Sequence, residues 1–292
     1  MCYTLRSRLS QSKIFKKVDK HRTKIVQKKL GAPRGMMGSV NLNREDFLNK
    51  FGGRLQDNFH VLDTFTPEDA AEIADQVLVL EDEWTDRGFF HTLGASAYID
   101  TPAQYQENTP HGNDVLSEYF QEPLTTLFQT FGQFAKRNTG PLENPHGHPD
   151  AQAALPGFHI VGNKANGRSG MFHVDMPYQR VYWPGPFMHP FTFTTLIATP
   201  AVGAGLWYWD DMPLERGMEI IEATHHDSRT AHSTPEEGRS FLAYEVGKTY
   251  IYSGRVPHAI ANVGDIDPDE YRITLQGHGA YLPEDDYIAL YF

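Results

Sequence analysis

The chain is short of cysteine, of long apolar runs and, past its first few dozen residues, of positive charge. Its one cysteine, Cys2, excludes an intrachain disulfide framework and leaves no basis for a thiolate metal site. No stretch approaches the roughly 18 apolar residues that a spanning helix needs, so a soluble protein with no membrane span is expected. No internal repeat or low-complexity tract is evident. Residues 1–34 hold 11 Lys/Arg and one acid, Asp19, while the remainder holds 15 bases against 36 acids. The overall charge of −11 therefore divides into +10 and −21. An acidic body argues against nucleic acid as a partner, because neutralising phosphates needs clustered Lys/Arg.

The basic stretch from Lys13 to Lys29 reads as a targeting peptide, a nucleic-acid arm or a solvated tail. Met36-Met37 also offers an alternative start just before the composition changes. Residues 1–36 are expected to form a disordered or cleavable extension, and 37–292 a single domain. The expected compartment is the cytoplasm, or an organelle if the basic segment is a transit peptide. Within the body, 40% hydrophobic and 12% aromatic residues support a packed core rather than disorder.

What the body does contain is a chemistry-bearing pattern, His173-Val174-Asp175 followed by His258 and then by Arg272-Ile273-Thr274. Two imidazoles and a carboxylate can occupy one face of an octahedral Fe(II), leaving the other open to a co-substrate and dioxygen. On a strand, His173 and Asp175 point the same way and can reach one metal. His258 must then arrive from another strand, and Arg272 can grip a carboxylate by two parallel hydrogen bonds. The context is β-rich: Gly157–Val161, a turn over 162–170, a strand through His173 and Asp175, then Phe191–Ile197, Gly205–Trp209, Gly247–Tyr252 and a strand opened by Arg272.

Over roughly residues 157–282 these elements resemble the Fe(II)/2-oxoglutarate-dependent dioxygenases. The resemblance implies a mainly β fold, a double-stranded β-helix (jelly-roll or cupin-like core) buttressed on one sheet by helices from 45–140. It implies His173, Asp175 and His258 as ligands of Fe(II). Arg272, assisted by Thr274, would hold the far carboxylate of the co-substrate 2-oxoglutarate. With O2 the expected outcome is oxidation of a C–H bond of a small metabolite, with release of succinate and CO2. Halogenases of the family resemble His-x-Gly or His-x-Ala at the first pair. Asp175 stands there instead, so hydroxylation, desaturation or oxidative cyclisation is expected. The alternatives are a cupin-like metalloenzyme that does not use 2-oxoglutarate, and a non-catalytic module that keeps the barrel without a metal.

Other residues carry competing readings. Arg272 can pair with Asp265, Asp267, Asp269 or Glu270 just upstream. His146 and His148 lie in a Pro/Gly/Asn loop, His225-His226 in a polar surface insertion, and His111 in a turn before a helix. His278 falls near the pocket mouth, with a structural role expected. Tyr178, Tyr182, Trp183, Trp207, Tyr208 and Trp209 wall a pocket or pack under helices. Arg168, Arg180 and Arg255 are candidates for an anionic substrate group. Two helices are expected: one capped by Thr66 with Pro67 at its first position, and one over about 114–136, kinked at Pro123 and stopped at Gly140.

Overall fold

A computed structural model describes residues 59–143, 153–162, 170–226, 235–261, 266–267 and 269–292. The basic N-terminal extension, His146, His148, Arg168 and Asp265 lie outside the described residues, as do the side chains of His225 and His226.

Twelve strands and four α-helices alternate along the described chain. β1 (His60–Asp63) leads to α1 (Pro67–Val79), then to β2 (Thr85–Asp86) and β3 (His91–Leu93). α2 (Pro102–Tyr119) and α3 (Gln121–Ala135) precede β4 (Asn138–Pro141), β5 (Gly157–Val161), β6 (Met188–Ala198) and β7 (Gly205–Tyr208). After α4 (Leu214–His226) come β8 (Ser240–Ala243), β9 (Lys248–Tyr252), β10 (His258–Ala261), β11 (Arg272–Leu282) and β12 (Tyr287–Tyr291).

The strands form two sheets. A nine-stranded sheet runs β1-β9-β6-β11-β5-β3-β2, with β12 and β4 continuing beside β11, and a three-stranded sheet runs β10-β7-β8. All pairings are antiparallel except β12 with β4. This is the double-stranded β-helix expected from the strand-rich half of the sequence.

Alternation along the strands sorts chemistry onto two faces of the large sheet. Phe158, Ile160, Phe191, Phe193, Ile197, Ile251, Ile273 and Leu275 share one apolar cluster with Ile73 and Val77 of α1, Leu116 of α2, and Leu124, Leu127 and Phe131 of α3. Each such side chain contributes roughly 1.5–3 kcal/mol when fully buried. The intervening residues, among them Thr192, Thr194, Thr274, Gln276 and His278, occupy the opposite, inner face. α1, α2 and α3 thus cover one face of the large sheet, while the other carries these polar residues beside a cluster of Leu196, Tyr250 and Tyr252 with Leu206 and Tyr208; α4 packs instead against Phe172, Trp209 and Ala259.

The helices differ from expectation at one end of their range. Thr66 caps α1 through a reciprocal pair with Asp69, each bond 3.1 Å, with Pro67 at the first helical position. The second expected helix is two. α2 begins earlier, at a capping box of Thr101 and Gln104, and runs through Pro110 and His111. His111 is therefore helical, with its Nε2 2.8 Å from Glu83. The chain breaks at buried Phe120, and Pro123 falls in the first turn of α3. Amides there have no helical acceptor, so a proline costs no bond and imposes no kink. α3 ends at left-handed Lys136, and Gly140 lies instead in β4.

Candidate metal centre

His173 does not belong to a regular strand. It forms an isolated antiparallel bridge with His258, each amide donating to the other's carbonyl at 2.9 Å. Two residues on, the Asp175 amide donates to the Gly254 carbonyl at 2.7 Å. The segment is extended enough to aim both side chains inward, which is what the expected strand was needed for. Pro177 then opens a 3₁₀ turn to Gln179, because proline cannot donate to a continuing ladder.

The three side chains converge. One ligand atom from each of His173, Asp175 and His258 lies within 4.8 Å of the others. His173 Nε2 is 3.6 Å from Asp175 Oδ1, and His258 Nε2 is 3.2 Å from Asp175 Oδ2. Both imidazoles are oriented from behind. His173 Nδ1 donates to the Met171 carbonyl at 2.6 Å and His258 Nδ1 to the Val256 carbonyl at 2.8 Å. A carbonyl only accepts, so Nδ1 carries a hydrogen in each ring and Nε2 is the atom turned toward Asp175. Thr192 Oγ1 donates to Asp175 Oδ2 at 3.0 Å.

Charge in the cluster is strongly coupled. Burial alone would raise the Asp175 carboxyl, but His258, by charge and hydrogen bond, and then His173 hold it well below the usual carboxylate range. Burial would lower His258, and Asp175 outweighs it, so that imidazole is raised. Burial, reinforced by His258, pushes His173 down to about 4, although 31% of its side chain remains exposed and tempers the effect.

Arg272 opens β11 and is buried at 4% exposure, with Nε and Nη1 making no hydrogen bond. It does not pair with the upstream acids among the described residues: Glu270 instead accepts from the Ala201 amide at 3.1 Å. Burial pushes the guanidinium down to about 10, opposed by Tyr244 and then Tyr252, and its Cζ lies 5.7 Å from the Tyr244 ring centre. Thr274 shares the inner face, but its hydroxyl donates to Gln276 Oε1 at 3.0 Å. Gln276 Nε2 donates to the Tyr98 hydroxyl at 3.2 Å, which is 2.8 Å from His159 Nε2. Burial, then the charge of Arg272, keeps His159 well below its ordinary range and neutral.

Most of the aromatic candidates pack rather than line a site. Tyr208 and Trp209 are core residues, Trp183 stacks on Phe187 at 4.2 Å, and Arg239 sits over Trp207 at 4.3 Å. Tyr182 is exposed. Arg180 donates to the Tyr98 carbonyl at 3.2 Å. Tyr178 and Arg255 border a narrow cleft beside Asp175, which Thr192, His278 and Tyr291 also line. Thr192, Tyr98 and His159 were not singled out in the sequence. They are ordinary residues of β-rich or loop segments: strand register turns Thr192 and His159 inward, and the turn after β3 brings Tyr98 onto His159.

No protein-family model matches the chain, and no curated protein matches it. Solved structures do. A dioxygenase of N-substituted L-amino acids from Burkholderia ambifaria, in complex with alpha-ketoglutarate, has a TM-score of 0.51 at 12% identity, covering 80% of this chain and 86% of that one. A non-heme alpha-ketoglutarate-dependent epimerase from nogalamycin biosynthesis has a TM-score of 0.42 at 12% identity, covering 81% of this chain and 82% of that one. The first likeness establishes a common fold, and the second lies too low to add to it.

Proposed function

We propose that this chain is an Fe(II)/2-oxoglutarate-dependent oxygenase that oxidises a C–H bond of a small molecule. The observation that carries the reading is Arg272, a guanidinium buried on the inner face with two donor nitrogens unpartnered, in the same interior as the His173, Asp175 and His258 cluster. A buried cation without a counter-charge is destabilising unless something anionic completes it. A carboxylate is the group whose shape matches two parallel N–H donors.

The donor set fits iron. Two imidazoles and one carboxylate are a donor set that would suit Fe(II), and both rings have their Nδ1 hydrogens committed to carbonyls. His173, Asp175 and His258 would hold Fe(II), and Arg272 would bind the far carboxylate of 2-oxoglutarate. With that co-substrate and O2, the iron supplies oxidation of a C–H bond alongside conversion of 2-oxoglutarate to succinate and CO2. The chain's own contribution is orientation and exclusion of water: Asp175 and His258 are buried, and the buried Tyr244 ring lies 5.7 Å from the guanidinium. Thr274 has its hydrogen on Gln276, so a role beside Arg272 would use its oxygen or require that bond to change.

A metalloenzyme of cupin type that uses no keto-acid would account for the three ligands but not for a buried Arg272 with two unpartnered donor nitrogens. The proposal is tested by incubating the full chain with Fe(II), 2-oxoglutarate and O2 and measuring succinate. Formation that depends on the protein and disappears in His173→Ala and Arg272→Met supports it. Formation at the same rate in those variants contradicts it.

A further inference from the structure

β11 presents Arg272, Thr274, Gln276 and His278 at alternate positions, and His278 stands opposite Thr192 in the pairing with β6. Thr192 Oγ1 is 3.0 Å from Asp175 Oδ2 and 3.1 Å from His278 Nδ1, and all three residues are buried. The protons of this chain of groups can be arranged in one way. A carboxylate that ligates a metal is deprotonated and only accepts, and Thr192 is its donor here. Thr192 has a single O–H, which goes to Asp175, so its oxygen must accept and His278 Nδ1 must carry a hydrogen. Burial pushes the His278 imidazole down to about 4, so the ring is neutral and Nε2 is bare.

That Nε2 is buried and has no hydrogen-bond partner. A histidine retained only to fill a core would be expected to satisfy both ring nitrogens. Here the acceptor is left open and the donor is kept on Thr192. Packing holds the same pair from the other side: a Cβ on Gly254 would meet the Asp175 carbonyl at 2.6 Å and Thr192 Oγ1 at 2.7 Å. The torsion that turns an aspartate carboxylate is soft, so an unrestrained Asp175 would exchange its oxygens freely.

We propose that His278 is a positioning residue for the metal-binding carboxylate: through the Thr192 hydroxyl it holds Asp175 Oδ2 and so fixes the rotation of the carboxylate that the two imidazoles face. The inference rests on the reading of His173, Asp175 and His258 as an iron site, and it extends the support of that site to two strands of the large sheet.

The test uses Fe(II) alone, without 2-oxoglutarate, titrated anaerobically into the full chain and into Thr192→Val, Thr192→Ser, His278→Gln and His278→Asn. Asparagine can place an amide N–H near the position of Nδ1, whereas the longer glutamine places its amide nearer Nε2. Thr192→Val and His278→Gln should bind Fe(II) about 10–100-fold more weakly, with Thr192→Ser and His278→Asn much closer to the unaltered chain. The absorption of the Co(II)-loaded protein should shift in the first pair and not in the second, a difference that general loosening of the fold would not produce. Melting of each metal-free variant is followed in parallel. Equal binding and spectra in Thr192→Val and the unaltered chain overturn the inference, as does an equal loss in all four variants. If the unaltered chain binds no Fe(II), the metal site itself is wrong and this inference falls with it.

Discussion

His173 and His258 are joined through their backbones, each amide hydrogen-bonded to the other's carbonyl at 2.9 Å. The ring centres stand 4.2 Å apart. Because the bridge is made by main-chain atoms, it survives removal of either imidazole.

His173→Ala should therefore fold normally and lose iron. We expect Fe(II) binding to fall beyond the roughly 100-fold upper end seen for groups that only orient a ligand. Metal analysis of anaerobically loaded protein, with circular dichroism as the control for folding, checks this. Stoichiometric iron in the variant would remove His173 from the site.

Arg272→Met separates stability from function. Replacing a buried, incompletely partnered cation by an apolar side chain of similar length should leave the protein without ligands at least as stable as before. Affinity for 2-oxoglutarate should drop by roughly 30-fold or more, the equivalent of at least 2 kcal/mol for a lost buried charge contact. Thermal melting with and without 2-oxoglutarate reads both. A large loss of stability without ligand would mean that Arg272 serves the fold.

Gly254→Ala should damage the site more than the fold. Its added carbon would press on Asp175 and Thr192 at 2.6–2.8 Å. Weaker Fe(II) binding with a largely intact far-ultraviolet spectrum is the expected result, and unchanged metal affinity would contradict it.

The metal-free protein should lose stability in mild acid. His278 is pushed down to about 4 by burial, and His159 is held well below its ordinary range by burial and then Arg272. A histidine depressed in the folded state takes up protons first when unfolded. Its contribution is thus present above about pH 6.5 and is lost as pH falls toward 4. His258, raised by Asp175 against the effect of burial, works in the opposite direction, but His60 and His173 join the depressed group. The sum is a loss of a few kcal/mol between pH 7 and pH 4.5, measurable by denaturant unfolding. A flat profile over that range would mean that these rings are not buried neutral.

Much of this was legible in the chain. The convergence of His173, Asp175 and His258 depends on residue types and their order, and a short extended segment is enough to aim His173 and Asp175 together. Thr66-Pro67 marks its helix because a cap is a local bond. The break at Phe120 was hidden, since apolar spacing runs on across it and Pro123 looks like a kink until its place in the first turn is known. α2 was obscured by a polar first half and an internal proline. His278 read as a structural residue because its partner, Thr192, is remote in sequence and meets it only through the register of β6 and β11. Gln276 and His159 meet Tyr98 only because the register of β5 and β11 and the turn after β3 bring three remote segments together.

The most direct measurement is anaerobic addition of 2-oxoglutarate to the Fe(II)-loaded chain, followed by the visible charge-transfer absorption of a metal-chelated keto-acid. The account predicts that the band forms in the unaltered chain, is absent in His173→Ala for want of iron, and needs far more 2-oxoglutarate in Arg272→Met although iron is bound. An iron-loaded chain that develops no band, or an Arg272→Met variant that develops it at the same concentration, would contradict it.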